Sequence, residues 1–145
     1  MSVFADSSAL VKLYSDESGH ERVRSLTVIV VSDLARVEVP SAIWRKERLG
    51  ELTPEEAALL TAAFEADYLG AGGMEPRFAP VATSAAILDA AAALCRLHDL
   101  RAFVAVQLAS ALAARVADPT CDTIAAFDSR LRRAAIAEGF SLVPA

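Results

Sequence analysis

Thr27-Val28-Ile29-Val30-Val31 is a run of five β-branched residues that is polar only at its first position. Such a run is typical of a β-strand that is buried on both faces, as the strands of a parallel sheet are. Further mostly apolar runs stand at residues 3–5, 78–81, 123–127 and 140–143, and segments with helical spacing separate them. This alternation predicts an α/β sandwich with a mostly parallel central sheet flanked by helices.

The segments between these strands carry helix start and stop signals. Ser7 or Ser8 is expected to cap the first helix, and Thr83 a later one. Thr53 and Pro54 open another, since a capping residue followed by Pro at the first helical position is a favoured helix start. The expected helices cover residues 10–14, 19–26, 34–49, 54–69, 84–98, 102–116 and 128–138.

Length and composition indicate one domain with a core of small side chains. The chain has 145 residues, of which 54% are apolar, 6% are aromatic and 31 are alanine, so we expect a single domain over residues 1–145. The net charge of −5 disfavours a module that binds nucleic acid by charge alone. Cys95 and Cys121 lack the spacing of a zinc site, and no signal-peptide pattern is present, so we expect a reducing cytoplasmic location.

Three acidic residues stand where a parallel sheet would place a ligand site. Asp6 follows the first strand and Asp128 the fourth, and ligand sites in such sheets lie beyond the carboxyl ends of the strands. Glu38 lies in a helix between apolar residues, where a lone carboxylate is costly to bury. Carboxylate oxygens suit Mg²⁺. The alternative is that both aspartates are helix N-caps and that Glu38 pairs with Arg36 or Arg45.

Four segments of the chain together resemble the motifs of PIN-domain ribonucleases, specifically VapC-type toxins of type II toxin–antitoxin pairs. They are Phe4-Ala5-Asp6-Ser7-Ser8-Ala9-Leu10-Val11-Lys12-Leu13-Tyr14, Val37-Glu38-Val39-Pro40-Ser41-Ala42-Ile43-Trp44-Arg45, Leu100-Arg101-Ala102-Phe103-Val104-Ala105-Val106-Gln107-Leu108-Ala109 and Ala126-Phe127-Asp128-Ser129-Arg130-Leu131. They occur in the order and at the separations typical of the family, and they span nearly the whole chain.

The resemblance implies a single PIN-like domain, a three-layer sandwich, that acts as a metal-dependent endoribonuclease. Carried over to this chain, Asp6, Glu38 and Asp128 are the catalytic acids that hold Mg²⁺ or Mn²⁺, and Ser8 is a candidate for supporting Asp6 by a hydrogen bond. The implied partners are an RNA substrate, a cognate antitoxin, a second copy of the chain in a homodimer, and a toxin–antitoxin hetero-oligomer. The implied location is the bacterial cytoplasm, and no membrane is involved.

Val104 departs from the family pattern, which has an aspartate metal ligand at this position. Valine offers no ligand oxygen, so we expect a weakened or inactive site. Neither Asp99 nor Asp122 is placed to substitute for the missing acid. Three explanations stay open: an introduced inactivating substitution, a naturally silent member of the family, and a working enzyme with a relocated ligand.

Two basic residues near the acidic motifs, Arg130 and Lys12, are candidates for binding the RNA phosphates. The alternative for each is an ordinary solvated position on a helix. A second function also stays open, a catalytically silent PIN-fold module that sequesters an antitoxin or RNA without cleaving it.

Overall fold

The five strands of the protein form one sheet in which every pair of neighbours is parallel. The computed structural model describes all residues from Met1 to Ala145. The strands are β1 (Ser2–Ala5), β2 (Val28–Ser32), β3 (Phe78–Val81), β4 (Thr123–Ala125) and β5 (Ser141–Val143), in the spatial order β3-β2-β1-β4-β5. β1 is therefore central, and its carboxyl end lies between those of β2 and β4.

Helices cover both faces of this sheet, which confirms the predicted three-layer sandwich. They are α1 (Ser7–Leu10), which a 3₁₀ turn (Val11–Leu13) extends, α2 (His20–Arg24), α3 (Ala35–Arg48), α4 (Pro54–Leu69), α5 (Ala85–His98), α6 (Ala102–Ala117) and α7 (Ser129–Ala137). No single helix is both long and apolar enough to cross a membrane; only α5 and α6 taken as a pair reach that length and composition, and they are bent by 114°.

Alternate residues of the strands divide the core into two halves. Val3 and Ala5 point into the half formed with α1 to α4, and Phe4 points into the half formed with α5 to α7. β2 behaves in the same way, since Ile29 and Val31 face the first half while Val30 packs against the second. Strands covered on both faces need apolar side chains at successive positions, which explains the run of β-branched residues.

Helix α6 passes through the centre of one layer and carries an important part of the site. Eight of its 16 residues are buried, and most of these are alanine or another small residue. Small side chains allow neighbouring elements to approach closely. The alanine-rich composition thus corresponds to a tightly packed helical layer, as predicted.

The first helix begins earlier than predicted and has a different cap. The side chain of Asp6, rather than that of Ser7 or Ser8, accepts the hydrogen bond from the Ala9 backbone N–H. Asp6 has the extended backbone that an N-cap residue adopts, with φ −79° and ψ 174°. The prediction of a serine cap is therefore wrong.

Other boundaries shift by a few residues for similar local reasons. Ser84, not Thr83, caps α5, because the Thr83 hydroxyl and N–H donate to the carboxylate of Asp33 instead. β4 ends at Ala125 rather than at Phe127, whose N–H donates to a side-chain hydroxyl and not to a neighbouring strand. The predicted start of α4 is confirmed, including the capping box at its first turn.

Candidate active site

Asp6 and Asp128 lie at the carboxyl ends of the adjacent strands β1 and β4. The backbone N–H of Asp6 donates to the carbonyl of Ala125 at 3.1 Å, which ties the two strand ends together. Each aspartate caps a helix through one oxygen: Asp6 Oδ1 accepts from Ala9 N at 3.0 Å, and Asp128 Oδ1 accepts from Leu131 N at 2.8 Å. The N-cap interpretation is thus correct, but it accounts for only half of each carboxylate.

Ser8 links Asp6 to the segment that follows β4. Its hydroxyl donates to Asp6 Oδ1 at 2.6 Å and accepts from the backbone N–H of Phe127 at 3.0 Å. The serine therefore fixes the Asp6 carboxylate and holds the approach to Asp128 in place. This is the hydrogen bond to Asp6 for which Ser8 was a candidate in the sequence analysis.

Glu38 reaches the same place from α3, and its partners differ from those considered from the sequence. Its Oε1 accepts from Gln107 Nε2 at 2.7 Å and from Ser7 Oγ at 3.0 Å. Neither Arg36 nor Arg45 forms an ion pair with it. The Glu38 side chain is half-buried, and the two donors that hold it are neutral. No basic side chain therefore balances its charge.

Sequence reasoning missed two polar members of the site, Ser7, which it considered only as a helix cap, and Gln107. Gln107 is only 3% exposed, on the face of α6 that also carries Val104 three residues earlier. Its Nε2 donates to Glu38 and, at 3.1 Å, to Ser7 Oγ. The sequence held a signal for Gln107, because it is a polar residue in an apolar helix. It stands about one turn after the motif position Val104, so the two side chains lie on the same face of α6.

These side chains line one small cavity of about 160 Å³. Its walls are Asp6, Ser7, Ser8, Glu38, Val104, Gln107, Asp128 and Leu131. Three carboxylates thus share one space with the half-buried hydrocarbon side chain of Val104, at the position where the resemblance predicts an acid. Asp99 lines a different cavity and Asp122 precedes β4, so neither replaces the missing carboxylate.

The second oxygen of each carboxylate makes no hydrogen bond within the protein. Only Oδ1 of Asp6, Oδ1 of Asp128 and Oε1 of Glu38 accept from protein donors. No Lys, Arg or His lies within ion-pair distance of any of the three. The arrangement holds three carboxyl groups together and provides no positive charge.

Burial makes the carboxyl group of Asp6 harder to ionise. Desolvation is the main reason why the pKa of Asp6 rises from 3.8 to about 7. The charges of Glu38 and Asp128 raise it further, while the hydrogen bonds from Ser8 and Ala9 lower it. A carboxylate in this position is stabilised by a proton or by a cation, since either removes the cost of a buried, crowded charge.

The donor set fits a hydrated hard cation better than a tightly enclosed ion. No group of three or more His, Cys, Asp or Glu side chains converges closely enough to hold a metal ion on its own. Mg²⁺ commonly binds one or two carboxylates and keeps several waters, which leaves room for substrate phosphate oxygens. The oxygens of Asp6, Glu38 and Asp128 without protein donors suit that kind of binding.

The two basic candidates lie in different surroundings. Lys12 is buried, its Nζ 3.3 Å from a carboxylate oxygen of Glu17 and 4.2 Å from the centre of the Phe127 ring. Arg130 is exposed and lines a cavity of about 270 Å³ together with Arg133 and His98. Arg130 has no ion-pair partner in the protein, whereas Lys12 already has one.

Comparison with known proteins gives the family. Ribonuclease VapC45 of Mycobacterium tuberculosis (strain CDC 1551 / Oshkosh) is 36% identical to the chain, and the alignment covers 99% of this chain and 95% of that protein. Ribonuclease VapC49 of Mycobacterium tuberculosis (strain ATCC 25618 / H37Rv) gives the same identity and coverage. No protein-family model matches.

A solved structure gives the same fold. The crystal structure of Mycobacterium tuberculosis VapC20, described as a sarcin–ricin loop cleaving toxin, matches with a TM-score of 0.60 at 17% identity, over 95% of each chain. Its sheet and helices support the PIN-like architecture predicted from the motifs. With relatives at 36% identity over nearly its full length, the chain belongs to the VapC family of PIN-domain ribonuclease toxins.

Proposed function

We propose that this chain is an endoribonuclease toxin that cleaves RNA phosphodiester bonds at the acidic cavity with the help of Mg²⁺ or Mn²⁺, and that Val104 weakens its activity. One observation carries the proposal. Asp6, Glu38 and Asp128 line a single cavity, each with one oxygen fixed by the protein and the other without a protein donor. Membership of the VapC family supports the assignment of RNA as the substrate.

Each side chain contributes a defined part to this function. Asp6 and Asp128 hold the cation at the carboxyl ends of β1 and β4, and Glu38 faces them from α3. Ser8 keeps Asp6 in orientation through its 2.6 Å hydrogen bond. When bound, Mg²⁺ or Mn²⁺ supplies Lewis acidity to the scissile phosphate and makes water a better nucleophile at neutral pH.

Val104 lowers the negative charge of the cavity and removes ligand oxygens. Its side chain lies at the cavity wall, where the family has a carboxylate. Loss of one group that stabilises developing charge commonly reduces the rate about 10²-fold or more. We therefore expect slow cleavage by this chain, whether the valine is native or introduced.

The test compares this chain with Val104→Asp and Val104→Leu on total cellular RNA, with Mg²⁺ or Mn²⁺ and with EDTA. We expect Val104→Asp to cleave roughly 10²-fold faster, in an EDTA-sensitive way, and Val104→Leu to match the starting chain. The double variant Asp6→Asn/Val104→Asp controls for a contaminating nuclease. If Val104→Asp folds but cleaves no RNA, the proposal is wrong.

The substrate phosphates have a candidate contact in Arg130. It lies two positions after Asp128 and lines one cavity together with Arg133 and Asp99, and neither arginine forms an ion pair. Guanidinium groups suit phosphate oxygens. Arg130→Ala in the Val104→Asp background should weaken RNA binding and reduce its salt dependence, whereas Arg96→Ala, on α5, should not.

Lys12 stays a weaker candidate for the same role. To contact a phosphate, its ammonium group must leave Glu17 or bind the phosphate beside it. The Lys12→Met variant separates the two roles, because loss of a structural ion pair lowers the melting temperature whereas loss of a phosphate contact raises KM.

A second function is favoured by Val104 itself, namely a PIN-fold module that binds an antitoxin or RNA without cleaving it. Apolar side chains near the start of α4, Leu52, Leu59 and Leu60, line a groove of about 370 Å³, and Leu59 is 71% exposed. An amphipathic segment of an antitoxin or a second copy of the chain suits such a groove. Light scattering of Leu59→Glu against the unchanged chain tests the homodimer, and the RNA assay above separates this function from the enzyme.

A further inference from the structure

We propose that Gln107 is the positioning residue through which this cavity still holds a divalent cation despite Val104. The inference rests on the proposed cation-dependent function and assigns a role to a residue outside the acidic set. Gln107 fixes Glu38 through its amide nitrogen, and its own side chain forms part of the cavity wall.

The hold on Glu38 is specific in its geometry. Gln107 Nε2 lies 2.7 Å from Glu38 Oε1 and 3.1 Å from Ser7 Oγ, and Ser7 in turn donates to the same Glu38 oxygen at 3.0 Å. These neutral donors occupy Oε1 without neutralising the carboxylate. Oε2 is therefore left to a ligand, with the full negative charge of the group behind it.

The amide oxygen of Gln107 has no hydrogen-bond donor. Gln107 Oε1 is buried and accepts no hydrogen bond, in a side chain that is only 3% exposed. A buried acceptor without a partner costs about 1–3 kcal/mol, so such groups are rare. Exchanging the two ends of the amide does not help, because it would turn the oxygen towards the Glu38 carboxylate. The amide is therefore held in this one orientation by its hydrogen bonds to Glu38 and Ser7.

The position on α6 connects Gln107 with Val104. The two residues are three apart, on the same helical face, and both line the cavity. With valine at the earlier position, Gln107 is the only polar side chain that α6 contributes to the cavity wall. The affinity for the cation should therefore depend on Gln107 more strongly in this chain than in a variant with an acid at position 104.

The experiment measures Mn²⁺ binding by isothermal titration calorimetry, with no RNA present. It uses the full chain and Val104→Asp, each with and without Gln107→Met. Gln107→Asn is a second variant, which keeps the amide but is too short to reach Glu38. Ser110→Ala is the matched control, because Ser110 is buried on α6, bonds only to the Val106 carbonyl and does not line the cavity. Melting curves in EDTA show that each variant folds.

We expect Gln107→Met and Gln107→Asn to weaken Mn²⁺ binding about 10–100-fold in the unchanged chain, as loss of a residue that orients a metal ligand commonly does. The same changes should have a clearly smaller effect in the Val104→Asp background, and Ser110→Ala should have none. Unaltered Mn²⁺ affinity in both Gln107 variants overturns the inference. So does Mn²⁺ binding by Val104→Asp but not by the unchanged chain, although the proposed function then stands. Absence of Mn²⁺ binding in every variant overturns both.

Discussion

Replacing Asp6 by asparagine should stabilise the folded chain at pH 8 when no divalent cation is present. Asp6 is 5% exposed, and burial together with Glu38 and Asp128 raises its pKa to about 7. An aspartate in the unfolded chain has a pKa near 3.9. The folded state therefore binds the proton more tightly than the unfolded state.

The sign and size of the effect follow from this difference. Because the folded pKa is the higher one, the stability from this group is fully present below about pH 4 and is lost as the pH rises through about 7. Roughly three pKa units correspond to about 4 kcal/mol, which is the upper limit of the gain from Asp6→Asn at pH 8. Asparagine also caps helices well, so the start of α1 is preserved.

The assay is thermal or urea unfolding in EDTA at pH 5 and pH 8. Asp6→Asn should raise the melting temperature by on the order of 10 °C at pH 8 and by less at pH 5. Asp128→Asn is the matched control, since this carboxylate also caps a helix at the cavity but is exposed, and its replacement should change the stability much less. Added Mn²⁺ should stabilise the unchanged chain and not Asp6→Asn. A variant that is less stable than the unchanged chain at pH 8 in EDTA would refute the reasoning.

Three further changes test other parts of the fold. Gly19→Ala should destabilise the protein by about 1–3 kcal/mol in urea unfolding, because Gly19 has φ +87° and a Cβ there would lie 2.7 Å from the Phe127 ring; a loss below about 0.5 kcal/mol contradicts this. Phe4→Ala should cost about 3–5 kcal/mol, since Phe4 is fully buried between β1 and the α5–α7 layer, and an unchanged midpoint speaks against that packing. Thr53→Ala should cost about 1 kcal/mol through loss of the capping box with Glu56, and Thr53→Ser, which keeps the hydroxyl, should cost much less.

The architecture was predictable because its signals are local. The β-branched run at β2 indicates a strand covered on both faces, and Thr53 and Pro54 mark the start of α4 to the residue. The ends of elements were less predictable, because they depend on contacts from distant parts of the chain. Thr83 does not cap α5, because its hydroxyl donates to the carboxylate of Asp33 instead. That contact joins residues 50 positions apart.

The candidate site was predictable to a similar degree and for a similar reason. Strand ends and motif positions point to Asp6 and Asp128, and the structure places both at the same cavity as Glu38. The partners of Glu38 were not predictable, because Gln107 is 69 positions away and no local pattern joins the two. Their contact requires α3 and α6 to be packed on opposite sides of the same strand end.

The central position of β1 has a consequence for the synthesis of the protein. β1 pairs with β4 through Phe4 and Ile124, so one side of the first strand has no partner until residues 123–125 have left the ribosome. Asp128 arrives later still, just after β4. A growing or truncated chain that ends before this point lacks both the strand that ties down Asp6 and one of the three acids. The acidic cavity can thus be assembled only after residues 123–128 have been made and have joined the sheet beside β1.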